Sequence, residues 1–304
     1  MRRRYFLQRK IDNWLNLKNI YINHITQKVI TQILGIDSNL IKEINIRNRC
    51  MNVFTNDYLY KIQLYGDNIK KDLKNRNCIS CYLLSLVSPI KVYKRIPLII
   101  MMPILKQPIQ NEKDACYILG RFKEIGYKKK FKLNDYPKII DGLNTLKNCG
   151  YASGRRIGEE LQKYLQKQEG TIVRVGIVHG DFHRNNIMRK GNIPVLIDFD
   201  CFRENDVQAV DALYYILEEV RYRNGYKKLW LEEWLLIYEN IDKVYEYKCI
   251  EYVDIDFKLG LIILLLERIS QDQQYDYLFI QTNESSIKKI KRKLIKEIKF
   301  ITNI

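Results

Sequence analysis

VHGDFHRNNIM (178–188), followed by VLIDFD (195–200), decides how the chain is read. The chain holds only three histidines, and two of them, His179 and His183, stand on either side of Asp181 in this stretch. IVRVGIV (172–178) has the β-branched composition of a strand, and IMRKGNIPVLI (187–197) reads as a hairpin turning at RKGN (189–192). Asp181 and Asn186 then share one tight loop at the hairpin's mouth, and the returning strand brings Asp198 back beside them. That arrangement gathers three hard oxygen donors in one place, the set a hard divalent cation takes.

Phosphoryl transfer asks little covalent chemistry of a protein. It needs a base to orient the hydroxyl and accept its proton, oxygen ligands for Mg²⁺, and a Lys on the phosphates. Kinases place base and metal ligand at the spacing H-x-D-x-x-x-x-N, with a second metal-binding Asp on a following strand. His179, Asp181 and Asn186 keep that spacing, and Asp198 follows in IDFD. A lone HGD is an ordinary turn, and a lone IDFD an ordinary strand end. In this order and on one hairpin the two are hard to read as structural. A mononuclear His/Asp metal site at His179, Asp181 and His183 is a weaker reading, because no third His or Cys lies nearby.

With Gly after the His, a second His at 183 and IDFD in place of DFG, the two motifs resemble the aminoglycoside phosphotransferase/choline kinase superfamily. The resemblance implies an α+β, protein-kinase-like two-lobed fold with ATP and Mg²⁺ as cofactors. It implies Asp181 as catalytic base and Asn186 and Asp198 as metal ligands. His179 would brace the loop, and Asp200 would support the metal-binding acid. Asp211, at the end of NDVQAVD, would tie the next helix back to the loop.

Outward from the motifs the architecture agrees. Apolar spacing predicts a helix over 11–35 ending at Gly35. IKEINIR, CMNVF and YLYKIQLY, with a turn at TND (55–57), predict antiparallel strands over about 40–65, then a helix over 68–86 and two strands in SPIKVYK and PLIIMMPIL. After Pro103 the pattern is helical apart from 172–200. We therefore expect a strand-rich N-terminal lobe, 1–103, and a mainly helical lobe, 104–304, holding one hairpin. In the first lobe Lys61 occupies the place of the family's phosphate-holding Lys, with Tyr58, Tyr60 and Ile62 on the other strand face.

Two departures concern that lobe. NIRNRCMNVFTND (45–57) has no Gly, so the glycine-rich phosphate loop is missing. Between Leu73 and Asn111 no Asp or Glu occurs, leaving Asp72 as the acid inside the candidate helix that would pair with Lys61. A worn small lobe with an intact HGDFHxxN core resembles the CotS-type spore coat proteins, kinase homologues of endospore-forming bacteria. Two readings stand: an Mg-ATP-dependent phosphotransferase acting on a small-molecule hydroxyl, and a degenerate kinase-fold component of a spore coat with other coat proteins as partners.

The bulk numbers exclude other classes. With 304 residues and 46% hydrophobic content the chain buries a real core. The formal charge of +17 is spread along it, so nucleic acid is not expected as a partner. The longest apolar run, LGLIILLL (259–266), is too short to cross a bilayer, and no apolar stretch follows the basic N-terminus. A cytoplasmic location is expected, or the spore coat if that resemblance holds. The seven cysteines read as reduced thiols, with Cys78 and Cys81 as two helix positions. SSIKKIKRKLIKEIKFITNI (285–304) reads as a terminal amphipathic helix. Glu218, Glu219, Glu232, Glu233 and Glu239 beside Trp230 and Trp234 would suit a cationic acceptor, Arg184 an anionic one. The acceptor's sign stays open.

Overall fold

The computed structural model describes residues 30–47, 50–64, 68–95, 98–105, 111–148, 152–223 and 244–275. The predicted helical stretches at 11–29 and 285–304, and the segment with Trp230, Trp234, Glu232, Glu233 and Glu239, lie outside them. The chain divides into two compact units. Among the described residues the smaller takes those from 30 to 70 and from 89 to 104, and the larger those from 71 to 88 and from 105 to 275.

Five antiparallel strands form the sheet of the smaller unit: β1 (Glu43–Arg47), β2 (Cys50–Phe54), β3 (Tyr58–Gln63), β4 (Lys91–Arg95) and β5 (Leu98–Pro103), in the order β1-β2-β3-β5-β4. The turn between β2 and β3 is closed by Thr55, whose N–H donates to the Tyr58 carbonyl at 2.9 Å and whose hydroxyl accepts from Tyr58 N–H at 3.0 Å. Alternation along β3 buries Tyr60 and Ile62 against Val53 and Ile99, and Ile30 and Leu34 of the helical stretch 30–34 pack on the same cluster. Gly35 ends that stretch in the left-handed region (φ 65°) with its N–H on the Thr31 carbonyl, the usual glycine helix stop. Lys61 therefore sits on the central strand, on the face opposite Tyr60 and Ile62, opposite Asn52 and Ile100 in register. It is not an edge lysine.

The larger unit is mostly helical. α1 (Asn68–Leu83) starts in the smaller unit and enters the larger at residue 71. Then come α2 (Asn111–Ile125), α3 (Pro137–Lys147), α4 (Ala152–Lys167), α5 (Ala209–Arg223) and α6 (Phe257–Tyr275). The expected hairpin is there as β8 (Ile187–Lys190) and β9 (Ile193–Leu196), with Gly191 at φ 62° in its turn.

One expectation needs correction: strands after Pro103 are not confined to 172–200. β6 (Tyr127–Lys130) and β10 (Arg203–Val207) flank β7 (Ile172–Val178) in an antiparallel sheet ordered β10-β7-β6. YKKK and RENDV carry no apolar alternation. They are strands because the buried backbone of β7 needs hydrogen-bond partners on both sides. β7 carries the chain into the loop at 179, so this small sheet is what aims it.

Candidate active site

The loop after β7 is held by its backbone. Asp211, in the first turn of α5 and 1% exposed, accepts from His179 N–H at 2.6 Å and Gly180 N–H at 2.9 Å. Gly180 is left-handed (φ 76°), and a Cβ there would run into the Cys201 carbonyl, so only glycine allows this approach. The fully buried His179 ring sits at 2.9 Å from the Ile197 carbonyl through Nε2, while Nδ1 accepts from Asp181 N–H at 3.4 Å. Those partners define a neutral imidazole with the proton on Nε2, and burial pushes its pKa below the ordinary value.

Ile197 joins the two motifs. Its carbonyl meets His179, and its N–H donates to the Asn186 carbonyl at 3.0 Å. Asp198 follows directly, in the left-handed region at φ 61°. A non-glycine residue there is uncommon, and Asp tolerates it better than most.

Asn186 is 6% exposed, and its Nδ2 lies 2.8 Å from the Asp181 carbonyl and 3.1 Å from Asp181 Oδ2. With the amide nitrogen turned to Asp181, Oδ1 is the atom Asn186 can offer a cation. The structure thus brings Asp181, Asn186 and Asp198 together through the Asn186–Ile197 backbone bond and the Asn186–Asp181 side-chain bonds. Asp200 lies inside the turn closed by Phe202 N–H on the Phe199 carbonyl.

Asp72 is 1% exposed, and its Oδ1 accepts from Arg76 Nε at 2.9 Å and Phe199 N–H at 3.1 Å. Asn75 donates to the Phe199 carbonyl at 2.7 Å, and the Arg76 guanidinium lies 4.9 Å from the Phe199 ring centroid. α1 therefore grips the residue after Asp198 from three sides.

Several residues here carried no role in the phosphotransfer reading of the sequence. His183 accepts from Asn185 N–H and lies 3.4 Å from Asp181 Oδ2. Arg268, on α6, reaches Asp181 Oδ1 at 3.3 Å and the Gly180 carbonyl at 3.4 Å, over the Tyr214 ring. Burial alone would raise the Asp181 carboxyl, but the His183 hydrogen bond and the Arg268 charge outweigh it and hold the group well below the usual carboxylate range. For His183 burial works against the charged form, and the bond and charge of Asp181 reverse that, so its pKa is raised. Beneath the loop Arg203 is paired with Asp206 at 2.5 Å and with Glu267. Burial raises Asp211 to about 7 against the hydrogen bonds from the His179 and Gly180 amides, and Glu267 to about 8 against the pull of Arg203. Position in the loop was the signal for His183. Arg268 lies 87 residues from Asp181, and no local pattern marks it.

Arg184 pairs with the buried Glu219 at 3.1 Å and lies 3.6 Å from the Tyr222 ring centroid. Among the described residues no group of three or more His, Cys, Asp or Glu side chains is arranged to hold a metal. An amide and a single carboxylate still suit Mg²⁺, which keeps waters and takes phosphate oxygens rather than an all-protein cage. Among the described residues no helix is long and apolar enough to cross a membrane.

Residues 136–234 match the family model described as the phosphotransferase enzyme family, APH. No curated protein matches the chain. Among solved structures, the choline kinase LicA from Streptococcus pneumoniae is 14% identical over 91% of this chain and 99% of its own, with a TM-score of 0.51. The amicoumacin kinase hAmiN, in complex with AMP-PNP, Ca²⁺ and Ami, is 12% identical over 94% and 96%, with a TM-score of 0.54. A spectinomycin phosphotransferase with ADP and spectinomycin is 14% identical over 90% and 95%, with a TM-score of 0.51. The fold is protein-kinase-like, with an antiparallel sheet in the smaller unit and a mainly helical larger one.

Proposed function

We propose that the chain is a phosphotransferase that moves the terminal phosphoryl of ATP to a hydroxyl of a small molecule. The observation that carries this reading is the loop itself: Asp181, Asn186 and Asp198 joined through Asn186 and Ile197. The match of residues 136–234 to a phosphotransferase family, and fold neighbours whose structures hold ADP or AMP-PNP, support it.

Asp181 orients the acceptor hydroxyl and takes its proton as the new P–O bond forms. In a loose transition state the proton leaves late, so a weakly basic carboxylate suffices. His183 and Asn186 hold Oδ2 of that carboxylate in place. Asn186 and Asp198 would hold Mg²⁺, which would neutralise charge on the ATP phosphates. Lys61, on the central strand of the smaller unit, is the residue proposed for the phosphates, and Asp200 and Asp211 support the loop.

A second reading keeps the fold and drops the catalysis, as a spore coat component. It is favoured by Asp72, which is engaged by Arg76 and the Phe199 amide, and by the lack of glycine in residues 45–57.

The test combines MgATP thermal shift with ADP release across a panel of amines, sugars and alcohols. The enzyme reading expects stabilisation by MgATP, turnover with at least one acceptor, and loss of about a thousandfold in Asp181→Asn. No shift, no turnover and an Asp181→Asn protein identical to wild type would leave the structural reading standing.

A further inference from the structure

We propose that Arg268 is the group that neutralises the phosphoryl in transit, an arginine supplied by α6 of the same chain. The inference rests on the phosphotransfer reading and assigns a residue that neither motif contains.

The two oxygens of Asp181 face different partners. Oδ2 lies 3.1 Å from Asn186 Nδ2 and 3.4 Å from His183 Nε2. Oδ1 lies 3.3 Å from a terminal nitrogen of Arg268. An acceptor hydroxyl giving its proton to Asp181 must come within about 2.6–3.2 Å of the carboxylate. Hydroxyl and guanidinium are then neighbours on one small group, and the phosphoryl bonding to that hydroxyl gathers charge beside Arg268. That charge spreads over three equatorial oxygens, the situation in which a planar guanidinium contributes most.

Of the arginines around the loop, Arg184 is paired with Glu219 and Arg203 is buried between Asp206 and Glu267. Among the described arginines Arg268 touches Asp181, and its side chain keeps 20% exposure. It is also pre-positioned. Its neighbour Glu267 is fixed to Arg203, and its guanidinium carbon lies 4.3 Å from the Tyr214 ring centroid. Arg268 also reaches the Gly180 carbonyl at 3.4 Å, while Asp211 holds the amides of His179 and Gly180. In the step, the acceptor oxygen bonds phosphorus and the bond to the bridging oxygen of ATP breaks. Its electrons leave with ADP, and the hydroxyl proton goes to Asp181. Arg268 keeps its protons throughout.

The experiment compares wild type, Arg268→Met and Arg268→Lys by calorimetric titration of MgADP with and without aluminium fluoride, a mimic of the phosphoryl in flight. Wild type is expected to bind MgADP at least about tenfold tighter with the fluoride, and Arg268→Met to lose that gain with MgADP affinity within about threefold of wild type. In turnover, Arg268→Met should lose kcat by about a hundredfold or more with acceptor KM little moved, and added guanidinium should restore part of it. Arg268→Lys keeps the charge and should keep part of both effects, and it serves if the Met variant fails to fold. An Arg268→Met protein that retains the fluoride gain, or loses only acceptor KM, overturns the proposal. Wild type that turns over ATP, loses this in Asp181→Asn and keeps it in Arg268→Met overturns the proposal alone. Wild type that binds no nucleotide overturns both the proposal and the functional reading.

Discussion

At the scale of single residues, the loop separates holding from reacting. His179 and Asp211 spend their polar atoms on backbone groups, whereas Asp181 meets side chains: Asn186, His183 and Arg268. The His183–Asp181 contact makes a measurable prediction. The His183 imidazole should titrate above 6.5 in imidazole NMR, and Asp181→Asn should bring it back down. Three histidines in the whole chain make the assignment simple. The candidate triad Asp181, Asn186 and Asp198 was legible because a loop of fixed spacing and a hairpin are both local patterns. Arg268 was not, because its contact with Asp181 is made by the packing of α6, which no nearby sequence announces.

At the scale of elements, legibility followed the source of each element's stability. β1 to β5 and the hairpin β8–β9 show β-branched runs and turn residues, and they stand where the sequence places them. β6 and β10 have neither, and exist because β7 between them must be paired. Helices α3 and α6 depend on a feature of another kind. A Cβ on Gly142 would overlap the backbone of Leu266, so the two helices touch main chain to main chain. Gly142→Ala should lower stability by about 1–3 kcal/mol despite its better helix propensity, read as a lower denaturant midpoint at unchanged slope. An unchanged midpoint would show that the helices separate freely.

Over the whole molecule the charge balance hides an acidic interior. The net charge is +17, yet Asp72, Asp114, Asp206, Asp211, Glu218, Glu219 and Glu267 are all buried. Glu267 is raised to about 8, and its Oε1 is buried without a hydrogen-bond partner. A carboxyl raised by folding holds its proton in the native state and releases it in the unfolded chain, so stability falls as pH rises toward the native pKa. His183, raised in the native state, acts in the same direction above 6.5. His179, lowered by burial, acts in the opposite direction, and most of its effect is over by pH 7. The melting temperature should therefore fall between pH 7 and about 8, below the range in which most of the seven cysteine thiols titrate. A flat or rising profile would mean that Glu267 is ionised throughout.

The membership of residues 71–88 has a practical consequence. They lie between β3 and β4 in the chain, yet Asp72 and Asn75 hold Phe199, and Ser88 N–H donates to the Leu196 carbonyl. No single cleavage of the polypeptide can release either unit whole. A fragment stopping at 104 would carry away the buried Asp72–Arg76 pair and strip the segment after β9 of its clamp. Swapping the small sheet between relatives would therefore take two junctions, one on each side of α1.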